Sequence, residues 1–232
     1  MTTGPVPPGP APRGHLIVFE GVEGAGKSTQ VARLLSWLSD KGTPAVALRE
    51  PGTSAAGTAI RELLLDPEID IDPRTETLLF LAARAQLVAN ELATLLRSGC
   101  VVLCDRFFLS TYAYQGAGRG LDMESIRQLN AFAVRGLVPD ATVLLDVDPA
   151  VGLGRANARS RADRIEGAGA EFHQRVHQAF RSFARPEWQR DHPECGPIVA
   201  VNAAGGEAEV FGRVLAGLSG ILPETFPPGI RS

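Results

Sequence analysis

Cysteine is scarce in this chain of 232 residues, with three thiols at 100, 104 and 195. An odd number without compact spacing excludes a disulfide scaffold and fits a reducing compartment. Cys100 and Cys104 flank the apolar run Val101 to Leu103, and a structural zinc would want four ligands. They read as buried free thiols. No uninterrupted run approaches the ~20 apolar residues that span a bilayer. The start, Met1 to Gly14, is rich in proline and glycine and lacks the basic-then-apolar order of a secretory signal. Nor is there an excess of positive charge: 23 Lys and Arg against 26 Asp and Glu leave a net charge of −3, which provides no field for tracking nucleic acid. These absences predict a cytoplasmic protein with neither nucleic acid nor membrane as partner. Lysine is almost missing, with only Lys27 and Lys41 among the cations, so a position that keeps it deserves a chemical reason.

What is present is an ordinary globular composition, 44% hydrophobic and 21% charged, in a length suited to one α/β domain. Residues 1–14 read as a disordered arm, 15–222 as the domain and 223–232 as a flexible tail. Short apolar runs at Leu16 to Glu20, Ala45 to Leu48, Val101 to Cys104, Ala141 to Val147 and Ile198 to Val201 read as strands. Helical periods fill most of the stretches between them: 28–40, 55–65, 74–97, 123–134, 149–161, 171–190 and 207–222. Strands that are apolar throughout, alternating with helices, predict a five-stranded parallel sheet covered on both faces. Ligands bind such sheets beyond the carboxyl ends of the strands, which directs attention to 21–28, 49–54 and 105–106.

The first of these is Gly21-Val22-Glu23-Gly24-Ala25-Gly26-Lys27-Ser28, a G-x-x-x-x-G-K-[ST] phosphate loop between a strand and a helix. Its glycines let the amide N–H groups turn inward on phosphate oxygens, and the following helix adds its positive end. Lys27 can reach the β- and γ-phosphates, and Ser28 can ligate Mg²⁺. Residues Gly21 to Thr29 are therefore the expected ATP-binding set. A compact ammonium suits a tight anion nest better than a bulky guanidinium, which accounts for one of the two lysines.

The chain also resembles bacterial thymidylate kinases. The likeness is carried by Phe19-Glu20-Gly21 through Gln30, by Arg49-Glu50-Pro51-Gly52, Arg61-Glu62-Leu63-Leu64-Leu65, Leu78-Leu79-Phe80 with Arg84-Ala85-Gln86, and by Asp105-Arg106-Phe107 with Ser110 to Asp122. It continues through Pro139-Asp140, Leu144 to Pro149 and Asp163-Arg164-Ile165-Glu166, covering about residues 15–205. The resemblance implies phosphoryl transfer from MgATP to dTMP in a homodimer. By position it implies that Glu23 lies near the acceptor 3′-hydroxyl and that Arg49 and Arg106 hold the acceptor phosphate. Phe80 would stack on thymine, with Arg84, Thr111 and Gln115 reading its polar edge. Tyr114 would pack near the sugar 2′ position, and Asp105 would support Mg²⁺ beside Ser28. Phe80 and Arg84, four apart, share a helix face.

A short lid, about 152–168, holds Arg155, Arg159, Arg161 and Arg164. Cations there can meet the transferring charge and exclude water. Gly24 stands where some relatives carry a basic loop residue, so the resemblance puts the catalytic arginine in the lid: Arg159 by position, with Arg155 and Arg164 in reserve. Lys27, Arg106, Arg159 and Glu23 are thus expected to carry the transfer. Two departures stand out. Thr53 replaces the second glycine of the family's Arg-Glu-Pro-Gly-Gly-Thr pattern, and Asn157 stands where some relatives have another lid arginine. His173 and His177 are four apart on a helix, with no third ligand nearby. Two other readings remain open: the same chemistry on a modified pyrimidine deoxynucleotide, and a P-loop switch that has no need for acceptor-side arginines.

Overall fold

The computed structural model describes residues 13–157 and 163–229. Strands β1 (Leu16–Glu20), β2 (Ala45–Arg49), β3 (Val101–Asp105), β4 (Ala141–Asp146) and β5 (Ile198–Asn202) form one parallel sheet in the order β2-β3-β1-β4-β5. Side chains alternate across a strand, and both faces here are covered. Leu16 and Val18 enter one core with Val102, Cys104 and Leu144, while Ile17 and Phe19 enter the other with Leu103, Val143 and Leu145. This two-sided burial is the physical reason the strands lack a polar alternation.

The helices are α1 (Lys27–Asp40), α2 (Ala55–Leu65), α3 (Pro73–Leu87), α4 (Ala93–Arg97), α5 (Phe108–Thr111), α6 (Met123–Val134), α7 (Pro149–Asn157), α8 (Ala170–Phe183), α9 (Pro186–Asp191) and α10 (Glu207–Ile221). Helices α1 and α10 supply the second core, with Leu34, Leu38, Val214 and Leu218 fully buried. Helices α3, α6 and α8 contribute to the first. β1 lies at the centre, with β3 on one side and β4 on the other, so the chain parts around the end of β1. That end is the switch point where such sheets open a crevice for ligands.

Three expectations about elements change. The helix expected over 171–190 is two helices, because Pro186 at the first turn of α9 has no N–H to continue α8. A π-helical stretch, Tyr112–Gly118, extends α5, although two glycines and no 3.6 period hide it in the sequence; π turns of this kind favour functional sites. Within the expected flexible tail, Phe226 is fully buried and stacks on Trp37 at 5.7 Å between ring centroids.

Helices α3 and α4 join through a π turn into Pro73–Arg97. It is 25 residues long, and its most apolar 18-residue stretch has a mean hydropathy of 1.3, so by length and composition it is one helix long and apolar enough to cross a membrane. It carries the buried charges Glu76 and Arg84, each paired inside the protein, and it packs on α6. The expected helix over 149–161 is described only to Asn157; Arg159 and Arg161 lie outside the described residues.

Candidate active site

The phosphate loop follows β1 directly. Gly21 has φ 136° and Gly24 has φ 68°. A β-carbon would sit 2.5 Å from the Leu145 carbonyl oxygen at the first and 2.0 Å from the Gly152 carbonyl oxygen at the second. Glycine at 24 therefore lets the base of α7 pack against the loop, and no basic side chain fits in its place.

Lys27, buried at the start of α1, donates to the carbonyls of Gly21 at 2.9 Å and Val22 at 2.8 Å. Burial and then the Arg106 charge pull its ammonium down to about 8, against the opposing pull of Glu23, Asp105 and Glu20. Ser28 donates to Asp105 Oδ2 at 2.7 Å. An adjacent hydroxyl and carboxylate form the oxygen donor set that a hard divalent cation prefers. Among the described residues no group of three His, Cys, Asp or Glu could hold a metal, so the set fits an ion carried largely by nucleotide phosphates. His173 and His177 instead contact the Glu166 carbonyl at 2.9 Å and Asp146 at 3.9 Å. A cavity of about 270 Å³ opens on the outer side of the loop between Gly24, Thr29, Gln30 and the start of α10, and Arg155 stands on its wall.

On the inner side lies a second cavity. Arg49, Phe80, Arg84, Arg106, Thr111, Tyr114 and Gln115, the acceptor residues expected from the sequence, all line it, together with Glu23. Arg106 ties the inner cavity to the phosphate loop through Glu23. It follows β3 with φ 75°, a conformation that a non-glycine residue holds only where its surroundings enforce it. Its guanidinium donates to Glu23 Oε1 at 2.5 Å and Ser110 Oγ at 3.1 Å, and it lies 5.1 Å over the Tyr114 ring. Tyr114 also donates to Glu23, at 3.2 Å. Burial alone would raise the Glu23 carboxyl, but Arg106 and Lys27 outweigh it and hold it down to about 2.

Much of this geometry is set by Glu20, which sequence reasoning passed over. The last residue of β1 and fully buried, it accepts from the Phe107 N–H at 2.7 Å, the Ser110 N–H at 3.1 Å and the Ser110 hydroxyl at 2.6 Å. It thereby satisfies the free amides at the start of α5 and aims Arg106 at the phosphate loop. The available signal was a charge closing an otherwise apolar strand.

Arg84 is fastened on all sides. It donates to Glu50 at 2.7 Å, to Thr111 at 2.9 Å, to the Phe107 carbonyl at 2.7 Å and to Asn130. Of the five guanidinium hydrogens, one is left for a ligand. Burial pushes the Glu50 carboxyl up to about 7, with the Arg84 charge working against it. Arg49 is the exposed member, at the rim. Thr53 proves to be a clasp: its hydroxyl accepts from the Arg49 N–H and donates to the Arg49 carbonyl, both at 2.9 Å.

Glu50, Arg61, Asp163 and Glu166 also line this cavity, although their matching segments carried no assigned role. Arg61 donates to the Pro51 carbonyl at 3.1 Å. Arg164, named as a reserve for Arg159, does not line the outer cavity. Its guanidinium is turned to the Leu64 carbonyl and to Glu76, each at 2.8 Å.

The chain is similar to known proteins of one family. The thymidylate kinase family model matches residues 19–190. A thymidylate kinase of Carboxydothermus hydrogenoformans is 47% identical over 175 residues, 75% of this chain and 86% of that one. One from Deinococcus radiodurans is 45% identical over 207 residues, 89% of this chain and 97% of that one. The crystal structure of thymidylate kinase from Ehrlichia chaffeensis superposes with a TM-score of 0.69 at 29% identity, covering 89% of this chain and all of the other. With its phosphate loop and acceptor-side residues brought together on adjoining cavities, this chain belongs to the thymidylate kinase family, the kinases of dTMP.

Proposed function

We propose that the outer cavity takes MgATP, that the inner one takes dTMP, and that the γ-phosphoryl group passes between them at Arg106 to give dTDP and ADP. The observation that carries this reading is the single cavity lined by all seven expected acceptor residues and joined to the phosphate loop through the Arg106–Glu23 pair. Lys27 and the loop amides hold the β- and γ-phosphates. Arg49 and Arg106 hold the acceptor phosphate with forked geometry. Phe80 stacks on the base. The nucleophile is an anionic phosphate oxygen, so positioning and charge neutralisation do the work and no general base is required. Ser28, with Asp105 behind it, would hold Mg²⁺, which would supply charge neutralisation at the nucleotide phosphates. Cations from the lid complete the site: Arg159 from its sequence position, and Arg155 on the wall of the outer cavity.

An ADP-release assay with MgATP tests this against dTMP, dUMP, 5-substituted dUMP analogues, UMP, dCMP and dAMP. The expected order places dTMP first. Higher kcat/KM on a 5-substituted analogue would instead identify a modified pyrimidine deoxynucleotide as the acceptor. No turnover on any of them, with ATP still bound, would leave the switch reading.

We further propose a homodimer with α3 and α6 at its interface, in a reducing cytoplasm that keeps the three buried thiols free. Leu78 on α3 and Leu129 and Phe132 on α6, two helices packed on each other, are exposed, Phe132 to 85%, and exposed large apolar side chains gathered on one face mark an association surface. Sedimentation equilibrium should give twice the chain mass for the wild type and a monomer for Phe132→Glu. A wild-type monomer at micromolar concentration would refute the proposal.

A further inference from the structure

Glu76 lies behind the acceptor pocket near the start of α3, and it is fully buried. Groups from two other parts of the chain converge on it. Arg119 donates through Nε to Oε1 at 3.2 Å and through a terminal nitrogen to Oε2 at 2.9 Å. Arg164, C-terminal to the arginine-rich stretch, pairs with Oε2 at 2.8 Å. Gln115 Nε2 donates to Oε1 at 2.9 Å. Burial alone would raise the Glu76 carboxyl, but hydrogen bonds from Arg119, Gln115 and Arg164 outweigh it and hold it below its usual range. It is therefore ionised at neutral pH, and an ionised carboxylate can only accept.

That fact fixes the Gln115 amide. Its NH₂ must face Glu76, and the carbonyl is then the polar atom left for the cavity that Gln115 lines and Glu76 does not. Among the described residues, Gln115 Oε1 has no protein donor, and it is not sealed from solvent.

We propose that Glu76 is a positioning residue for base selection: by holding the Gln115 amide in one orientation, it sets the pocket to accept a pyrimidine that carries a hydrogen at N3. The inference rests on the reading of this cavity as the dTMP pocket. Thymine and uracil present an N3–H donor, whereas cytosine presents an N3 lone pair at the same place. A carbonyl facing N3 pairs with the first and repels the second. A site built around one hydrogen-bond polarity rejects a ligand that leaves its buried groups unpaired.

The substitution Glu76→Gln should turn this device around. Arg119 and Arg164 both meet the Oε2 position at 2.9 and 2.8 Å, whereas Oε1 meets Gln115 and only the longer, 3.2 Å Arg119 Nε contact, so the new carbonyl settles at Oε2 and the new NH₂ takes the Oε1 position facing Gln115. An NH₂ can only donate. Gln115 must then offer its carbonyl inward and swing its own NH₂ into the pocket. The expected result is a fall of about 10- to 100-fold in the ratio of kcat/KM for dTMP to that for dCMP, with dTMP losing and dCMP gaining. The KM for ATP should stay as in the wild type. Glu76→Asp keeps an acceptor-only group and should keep the ratio even where turnover drops, a contrast with Glu76→Gln that a merely structural role would not produce. A folded Glu76→Gln protein with the wild-type ratio would overturn the inference.

Should Glu76→Gln fail to fold, Gln115→Met leaves the arginines on Glu76 and removes both faces of the amide. Its ratio should fall about tenfold or more, and an unchanged ratio would again overturn the inference. The wild-type arm separates the two levels. A wild type with no preference for dTMP over dCMP refutes the pocket reading itself, before any variant is compared.

Discussion

Lys27→Met lowers kcat by roughly 10³-fold while leaving dTMP affinity within a few fold of wild type. The ammonium is buried against the loop carbonyls of Gly21 and Val22, beside the place where the β- and γ-phosphates must lie. Charge spreads over the equatorial oxygens during transfer, and a fixed cation in a buried site stabilises it far more than one in water. Methionine keeps much of the length and apolar volume, so the loop should hold its shape and the loss should fall on the chemical step. Steady-state kinetics with dTMP titration by calorimetry separates these effects. Turnover within tenfold of wild type would remove Lys27 from the reaction. The wild type should also show a fall in ATP affinity as pH rises through about 8, because the folded-state ammonium loses its proton there and only the charged form holds phosphate well.

Arg106→Ala is expected to lower kcat/KM for dTMP by roughly 10²- to 10³-fold, with Arg106→Lys recovering little of it. The guanidinium reaches Glu23, Ser110 and the Tyr114 ring at once, and a lysine ammonium cannot span that fork. The substitution also leaves Glu23 inside the protein without its main cation. In the wild type the Glu23 carboxyl falls from 4.5 to about 2 on folding. Its contribution to stability is full above 4.5 and is lost as pH falls toward 2. In the variant that acid-side contribution shrinks, because burial, which raises the carboxyl, is no longer outweighed by Arg106. Melting temperatures of both proteins between pH 2 and 5 check this. Parallel curves would show that Arg106 is not what holds Glu23 ionised.

The legible parts of the fold were those with a local cause. The phosphate loop is a contiguous octapeptide whose backbone does the binding, so composition and flanking elements suffice to find it. The strands were legible because burial on both faces leaves no polar alternation. The acceptor set was placed only through resemblance, since Phe80, Arg84 and Arg106 taken singly look like an apolar core residue and two solvated arginines. The stretch after Arg106 was not recognised as helical, because its π geometry has no 3.6 period and its first amides are satisfied by Glu20, 87 positions away from Phe107.

Chain order by itself determined the parallel sheet and the position of the phosphate loop at the end of β1. These follow from hydrophobic period and from motifs in which each member lies within a few residues of the next. Only the tertiary structure decided which charges act on ligands and which hold the protein together. Arg155 and Arg164 belong to the same arginine-rich stretch, yet the first lines the outer cavity and the second is turned onto Glu76 and the Leu64 carbonyl. Glu20, Glu50 and Glu76 were not distinguished from ordinary carboxylates in the chain, and each proves to be buried: Glu20 holds the start of α5, Glu50 pairs with Arg84, and Glu76 holds Arg119 and Gln115. A side chain's charge is local, but its partner is chosen by packing across distant segments, so its role is settled only when the chain has folded.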